Sequence, residues 1–296
     1  VLIWKKHNIN TYLNAHITLT SIKKTMKKIL TLALVSLSIS GYAQYFQPIN
    51  VKKGQVISVV STVNTDSDMG MGTMKNNMQM KSAFTIIDEN DKSFILTASL
   101  KGIKMDMDGM GQQMSFDSEK PEDKSSPMAE GLGEKLSAID TFAVNKNTGL
   151  ITRISKKKDS ESNGMGMVSS GNGSEPVNEI FFAVPMSKKI GDSWQDSSST
   201  EGLTTKKTYT LVSREKNIAT IKYMGVNFGN INSEVQGTPM TAVVDSKLSG
   251  ELKVNMETGL LISSTGDVDN NTAMEVMGQN MNISSKVKMN TACSVQ

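Results

Sequence analysis

From Met78 to Ile87 the chain alternates without a slip. Met78, Met80, Ser82, Phe84 and Ile86 take one side, while Gln79, Lys81, Ala83 and Thr85 take the other. A two-residue period fits an extended strand with one face buried; it cannot be laid along a helix, whose period is 3.6. The polar run Asp88-Glu-Asn-Asp-Lys92 then reads as a hairpin turn. Ser93–Asp108 carries the pattern back, with Ile103, Met105 and Met107 sharing one side.

The same unit of strand and polar turn recurs along most of the chain. Val56–Val63 is β-branched and opened by Gly54, and Gln113–Phe116, Phe142–Asn145 and Leu150–Ser155 follow. Further on, strands are expected at Trp194–Thr200, Thr204–Ser213, Ile218–Phe228, Thr241–Met256 and Leu260–Asp267, with a last hairpin over Ala273–Thr291. Two stretches depart from this. Met128, Leu132, Leu136 and Ile139 recur at helical spacing within Pro127–Ile139, and Glu179–Ala183 reads as a short helix stopped near Pro185. The expected fold is all-β: long antiparallel hairpins in one or two curved sheets, half-barrel-like, with a small helical insert.

Two echoes divide the chain. Val144-Asn-Lys-Asn-Thr-Gly-Leu-Ile151 matches Val254-Asn-Met-Glu-Thr-Gly-Leu-Leu261, and upstream of each a glycine (Gly54, Gly191) opens a strand that leads into a hairpin with a charged turn. The expected organisation is a first β half over 44–155, a Lys/Ser/Gly/Asn-rich linker over 156–177, and a joining helix with a second β half over 178–296.

The N-terminus reads as an export signal. Lys23-Lys-Thr-Met-Lys-Lys28 is basic, Ile29–Ile39 is apolar, and Gly41-Tyr-Ala43 offers small residues before Gln44, placing cleavage between Ala43 and Gln44. The apolar core is shorter than the roughly 20 residues that a membrane-spanning helix needs. Translation is expected to start at Met26, residues 1–25 being an unstructured upstream segment. No cysteine stands near the cleavage point, so lipid attachment there is not expected. The anticipated product is soluble, in a periplasm or outside the cell, with no transmembrane span.

Residues 1–43 also hold six lysines, no acids and both histidines, His7 and His16. The remainder therefore carries 26 basic against 29 acidic side chains and no imidazole. That balance removes the electrostatic case for nucleic acid. The missing histidine removes the commonest general base, the serine and cysteine triads and the usual zinc sites, so no enzyme activity and no cofactor are expected. Ser193 lacks a base and a nucleophile elbow and reads as a turn residue. Asp267-Val-Asp-Asn-Asn271 opens like a calcium loop, but Thr272 and Gly278 occupy the positions of its glycine and closing glutamate. Asp66/Asp68 and Asp106/Asp108 read as solvated acids. Cys293 is the single cysteine, so no internal disulfide forms.

Methionine is the unusual component, with 21 in all. Three readings stay open. Met78, Met80, Met105 and Met107, with Phe84, could line a deformable cavity for an apolar molecule or an envelope component. The glycine-rich tip carrying Met69, Met71 and Met74 could hold Cu(I), which favours thioethers. Or the methionines simply fill space.

The signal ending in Tyr42-Ala43-Gln44, the Gly54-led strand, the two Thr-Gly hairpins and the block Phe181-Phe-Ala-Val-Pro185 with Gly191-Asp-Ser-Trp194 carry a resemblance. With these features the chain resembles a family of uncharacterised secreted proteins from Bacteroidota, known as a domain of unknown function. The resemblance implies location and a β-rich fold, and it carries no site residues.

Overall fold

Among the described residues every element but two is a strand, and these strands join one sheet. The computed structural model describes residues 48–70, 72–109, 111–155, 180–200, 202–235, 238–276 and 279–296. The strands are β1 (Val56–Asp68), β2 (Thr73–Glu89), β3 (Ser93–Gly109), β4 (Gln112–Asp117), β5 (Ile139–Asn145), β6 (Ile151–Arg153), β7 (Ser193–Thr200), β8 (Leu203–Glu215), β9 (Ile218–Val235), β10 (Thr238–Asn255), β11 (Leu261–Val276) and β12 (Gln279–Val295). They pair in the order β6-β5-β3-β2-β1-β12-β11-β10-β9-β8-β7, with β4 also on β3. Every pairing is antiparallel, and the 12-stranded sheet stays open, ending on β6 and β7. The all-β, half-barrel-like expectation holds.

The helix α1 (Pro127–Ser137) starts where Pro127 sets the first helical φ and the Ser126 hydroxyl accepts from the Ala129 amide at 3.2 Å. It ends earlier than its apolar spacing suggests: Ile139 opens β5 and is 67% exposed. The second expected helix, Glu179–Ala183, is a correction. Among the described residues only Ile180 is helical; Phe181 then bridges Leu260, and the Phe182 amide donates to the Gly259 carbonyl at 2.9 Å. Pairing with the β10–β11 hairpin outcompetes a short helix, and Pro185 disfavours helical backbone at Val184. The signal segment with Ala43 and Gln44, the linker 156–177 and Met71 lie outside the described residues.

The two sequence echoes become two sets of matching hydrogen bonds. Gly149 (φ +69°) and Gly259 (φ +68°) each donate to the carbonyl of the turn's asparagine, Asn145 at 2.9 Å and Asn255 at 2.8 Å. Each asparagine side chain accepts from the amides two and three residues on (2.9 and 3.1 Å; 2.9 and 3.2 Å). Ile49 joins the pair: its amide donates to Lys146, the next amide, of Asn50, donates to Thr258, and its side chain lies against both glycines. Gly54 and Gly191, both left-handed, donate to Ile86 and Leu211 just before a bulge in β2 and in β8.

The second half pairs β9 with one long β10, whereas in the first half β4 and β5 take up the two ends of β3 and α1 lies in the chain between them.

One face of the sheet carries the core. Ile57, Val59, Phe84, Phe94, Leu96, Phe142 and Val144 pack with Ile49, Phe181 and Leu260; Tyr209, Leu211, Ile221, Val254 and Leu261 form a second cluster with Val184. Trp194 is half-buried against the second cluster, stacked on Tyr209 with centroids 5.6 Å apart. At about 25 cal/mol per Å² of apolar area removed from water, these side chains must supply most of the stability, since no disulfide contributes.

Candidate functional site

Strand alternation separates a core face from a polar face; Met78, Met80, Met105 and Met107 fall on the former, and Met224, 70% exposed, on the latter. Met78 pairs with Met105, Met80 with Ile103 and Asn76 with Met107 across β2 and β3, placing the five candidate lining residues on one face. They do not stand open. Met78 and Ile103 pack with Phe116 under Leu132 of α1, with Met80, Met128 and Leu136 against them, and Phe84 belongs to the main core. Met105 is 1% exposed and Met107 half-buried. At the tip between β1 and β2, Met69 is buried and Met74 half-buried on that same face. Among the described residues no three His, Cys, Asp or Glu side chains gather around a point that could hold a metal.

A second part of the core face, over β9–β12 and β1, lies outside the α1 roof, and within it Tyr223 covers Gly250 and Gly266. Leu248, Val268, Val287 and Thr65 form one row across neighbouring strands, and Gly250, Gly266, Met289 and Val63 form the row below it. Nearer the hairpin tips run Val244, Thr272 and Ile283, then Ala242, Met274 and Met281. None of these belongs to the buried clusters except Val63, and Val268, Val287, Ile283, Met274, Met281 and Met289 are only half-buried. The described helix packs on β3, away from these strands. Strict alternation in Met281-Asn-Ile-Ser-Ser-Lys-Val-Lys-Met289 was the sequence signal for this wall.

Between the apolar rows crosses a polar belt: Thr205, Asn227, Ser246, Asn270, Ser285 and Ser67 are consecutive cross-strand partners from β8 to β1. Thr205 donates to Asn227 Oδ1 at 3.2 Å and Ser246 to Asn270 Oδ1 at 2.8 Å, while Asn270 Nδ2 donates to Ser285 Oγ at 3.3 Å. Ser67 ends the row. It is 8% exposed, and its hydroxyl has no hydrogen-bond partner among the described residues.

The polar face is ordered by charge. Lys247, Asp269, Lys286, Asp66, Lys75 and Asp108 are successive cross-strand partners from β10 to β3, alternating in sign throughout. Opposite charges facing one another across strands each contribute about 0.2–1 kcal/mol, at the low end when exposed. Asp267–Asn271 lies inside β11 in this ladder, with no loop geometry. A depression of about 330 Å³ is lined by Asp66, Lys75, Asp269 and Lys286 of this face together with Ser67, Asn270 and Ser285 of the other, and a second of about 510 Å³ around Asp245, Asn271 and Asn282 also touches Thr272 and Ile283. None of Met78, Met80, Phe84, Met105 and Met107 lines either. Away from both, at the β2–β3 turn, Glu89 accepts from the Lys53 amide (3.2 Å) and from Lys146 Nζ (3.1 Å). These bonds, the amide's foremost, hold its carboxyl below the ordinary range.

Fold and site together define an all-β chain built on one open sheet, with a largely uncovered apolar patch on its core face. Residues 172–261 match the model of a family of unknown function (DUF6263). No curated protein matches the sequence. Among solved structures the chain is similar to lipovitellin, in a structure described as showing its lipid-protein interactions. The identity is 10% and the TM-score 0.46, with 83% of this chain covering 26% of that one. This chain thus spans about a quarter of lipovitellin's length. It is also similar to the translocator domain of the autotransporter NalP from Neisseria meningitidis (8% identity, TM-score 0.21, 92% and 97% of the two chains). Pseudomonas aeruginosa OpdQ is similar at 5% identity and TM-score 0.23, over 83% and 100% of the two chains. At these scores the likenesses carry no functional argument.

Proposed function

We propose that this is a non-enzymatic, exported binding protein that holds an apolar molecule on the core face over β9–β12 and β1. The observation that carries the reading is the half-buried wall of Val268, Val287, Ile283, Met274, Met281 and Met289, left out of every packed cluster. Half-buried apolar rows of this kind, lying on both sides of a polar belt, suit a binding surface. Methionine suits it because a flexible thioether re-packs around ligands of different shape. The charge ladder on the other face favours water there and disfavours lipid contact across the sheet.

The test is displacement of a polarity-sensitive fluorophore by hydrocarbons. Bright, saturable binding is expected, lost on Val268→Asp or Val287→Asp with the fold retained by circular dichroism. A protein that binds no probe, or that sediments as a dimer whose formation excludes the probe, overturns the proposal. Native mass spectrometry of protein taken from its own cell envelope would identify the natural occupant.

A further inference from the structure

An ammonium group reaches the apolar wall and gives the proposed ligand a head group. We infer that the occupant is an anionic amphiphile, a long apolar chain whose single negative charge is held by Lys207. This rests on the binding reading above.

Lys207 of β8 faces Gly225 of β9, and Gly225 faces Leu248, so the row Leu248, Val268, Val287 and Thr65 continues outward to this lysine. Gly225 has no side chain to hold it off. A Cβ there would stand 3.1 Å from Lys207 Cγ, so the stem lies across the bare backbone of β9, and Nζ comes to 5.4 Å from the centre of the Tyr223 ring. The half-buried lysine thus brings its charge to the β9 margin of the wall, while its methylenes extend the apolar surface. From β9 to β1 the row crosses four inter-strand steps of about 4.8 Å, about 19 Å in all, which suits an extended acyl chain.

Other charges on this face do not pair with Lys207. Asp196, its cross-strand partner on β7, lies on the side from which the stem turns away, and its Oδ1 accepts from the Ser197 amide at 2.8 Å. Asp140 and Arg153, on β5 and β6, pair with each other at 3.0 Å. Arg214 stands beyond the β8 bulge, opposite Ala219 at the end of the strand. No carboxylate among the described residues forms an ion pair with Lys207. An anionic head placed there meets an ammonium with no carboxylate in contact, and a charge-assisted hydrogen bond is stronger than a neutral one.

The experiment uses three probes of equal chain length on the delipidated protein at pH 8 and low salt, where surface charges are least screened. They are pyrenedodecanoic acid, its methyl ester and the trimethylammonium analogue. The carboxylate is expected to bind about tenfold more tightly than the ester, the scale of one charge-assisted hydrogen bond, and the ammonium most weakly. Lys207→Met keeps an unbranched stem over Gly225. It should abolish the preference for the carboxylate and leave ester affinity unchanged, because the ester takes nothing from the charge. Lys207→Arg should keep the preference, and Lys207→Glu should transfer it to the ammonium probe, each with the fold retained by circular dichroism. Equal affinity of the native protein for carboxylate and ester, or tightest binding of the ammonium, overturns the inference and leaves the proposed function standing. So does a carboxylate preference that survives Lys207→Met or Lys207→Glu. Failure of all three probes to bind overturns the proposed function, and the inference with it.

Discussion

The hydroxyl of Tyr223 lies directly over Gly266: a Cβ built on that glycine would stand 2.7 Å from Tyr223 Oη. The ring extends across the neighbouring Gly250 as well, 2.6 Å from the corresponding position there. Two adjacent strands thus keep bare backbone so that one aromatic side chain can lie flat on them, a known device for covering sheet glycines. Gly266→Ala should destabilise by about 1–3 kcal/mol through overpacking. Tyr223→Ala in the same chain should remove most of that penalty in a urea-denaturation double-mutant cycle. Gly250→Ala should behave differently. There the Thr265 carbonyl also blocks a side chain, so truncating Tyr223 restores little.

Ile49 ties the twin Thr-Gly turns together. Ile49→Ala should cost about 2–4 kcal/mol, the range for emptying a buried aliphatic position. Hydrogen exchange should quicken at the Gly149 and Gly259 amides together. Acceleration at one turn alone would show that Ile49 supports only that half.

Lys286 stands between Asp66 and Asp269. Lys286→Glu makes three carboxylates consecutive in the ladder, and a loss of about 1 kcal/mol is expected at low salt. The loss should shrink in 0.5 M NaCl, where exposed charges are screened within a few ångströms. A loss unaffected by salt would mean that the lysine acts through packing.

Glu89 gives a signed pH dependence. Its folded pKa is lowered by the Lys53 amide and by Lys146, so its contribution is complete above its unfolded pKa and is lost as pH falls through the lowered folded value. Stability of the native chain measured against Glu89→Gln should therefore differ at neutral pH and converge in acid. Parallel pH curves would show that the two bonds do not favour the charged form.

Much of this fold is legible in the alternation of residues such as Met78–Ile87, because a buried face imposes a period of two wherever it exists. The strands are longer than that reading suggests. Asn64–Asp68, Gly229–Val235 and Asp269–Asn271 lack strand propensity and still continue β1, β9 and β11, since pairing with a formed neighbour overrides local preference. The helix expected at Glu179–Ala183 failed for a related reason: its pairing partner, Leu260, lies far away in the chain. Met78, Met80, Met105 and Met107 share one face, as their spacing implies. Which of them stay uncovered depends on where α1 docks, and no periodicity within β2 or β3 encodes that.

In the first half, the insert that carries α1 separates β4 from β5 and roofs the wall of Met78 and Ile103. The second half keeps the same frame and, among the described residues, has no such roof. Nature has therefore built a lidded and an unlidded version of one trough into a single polypeptide. Moving the segment Ser118–Ala138 into β10 would turn the bare half into a copy of the closed one, a gain or loss of binding by transplant alone.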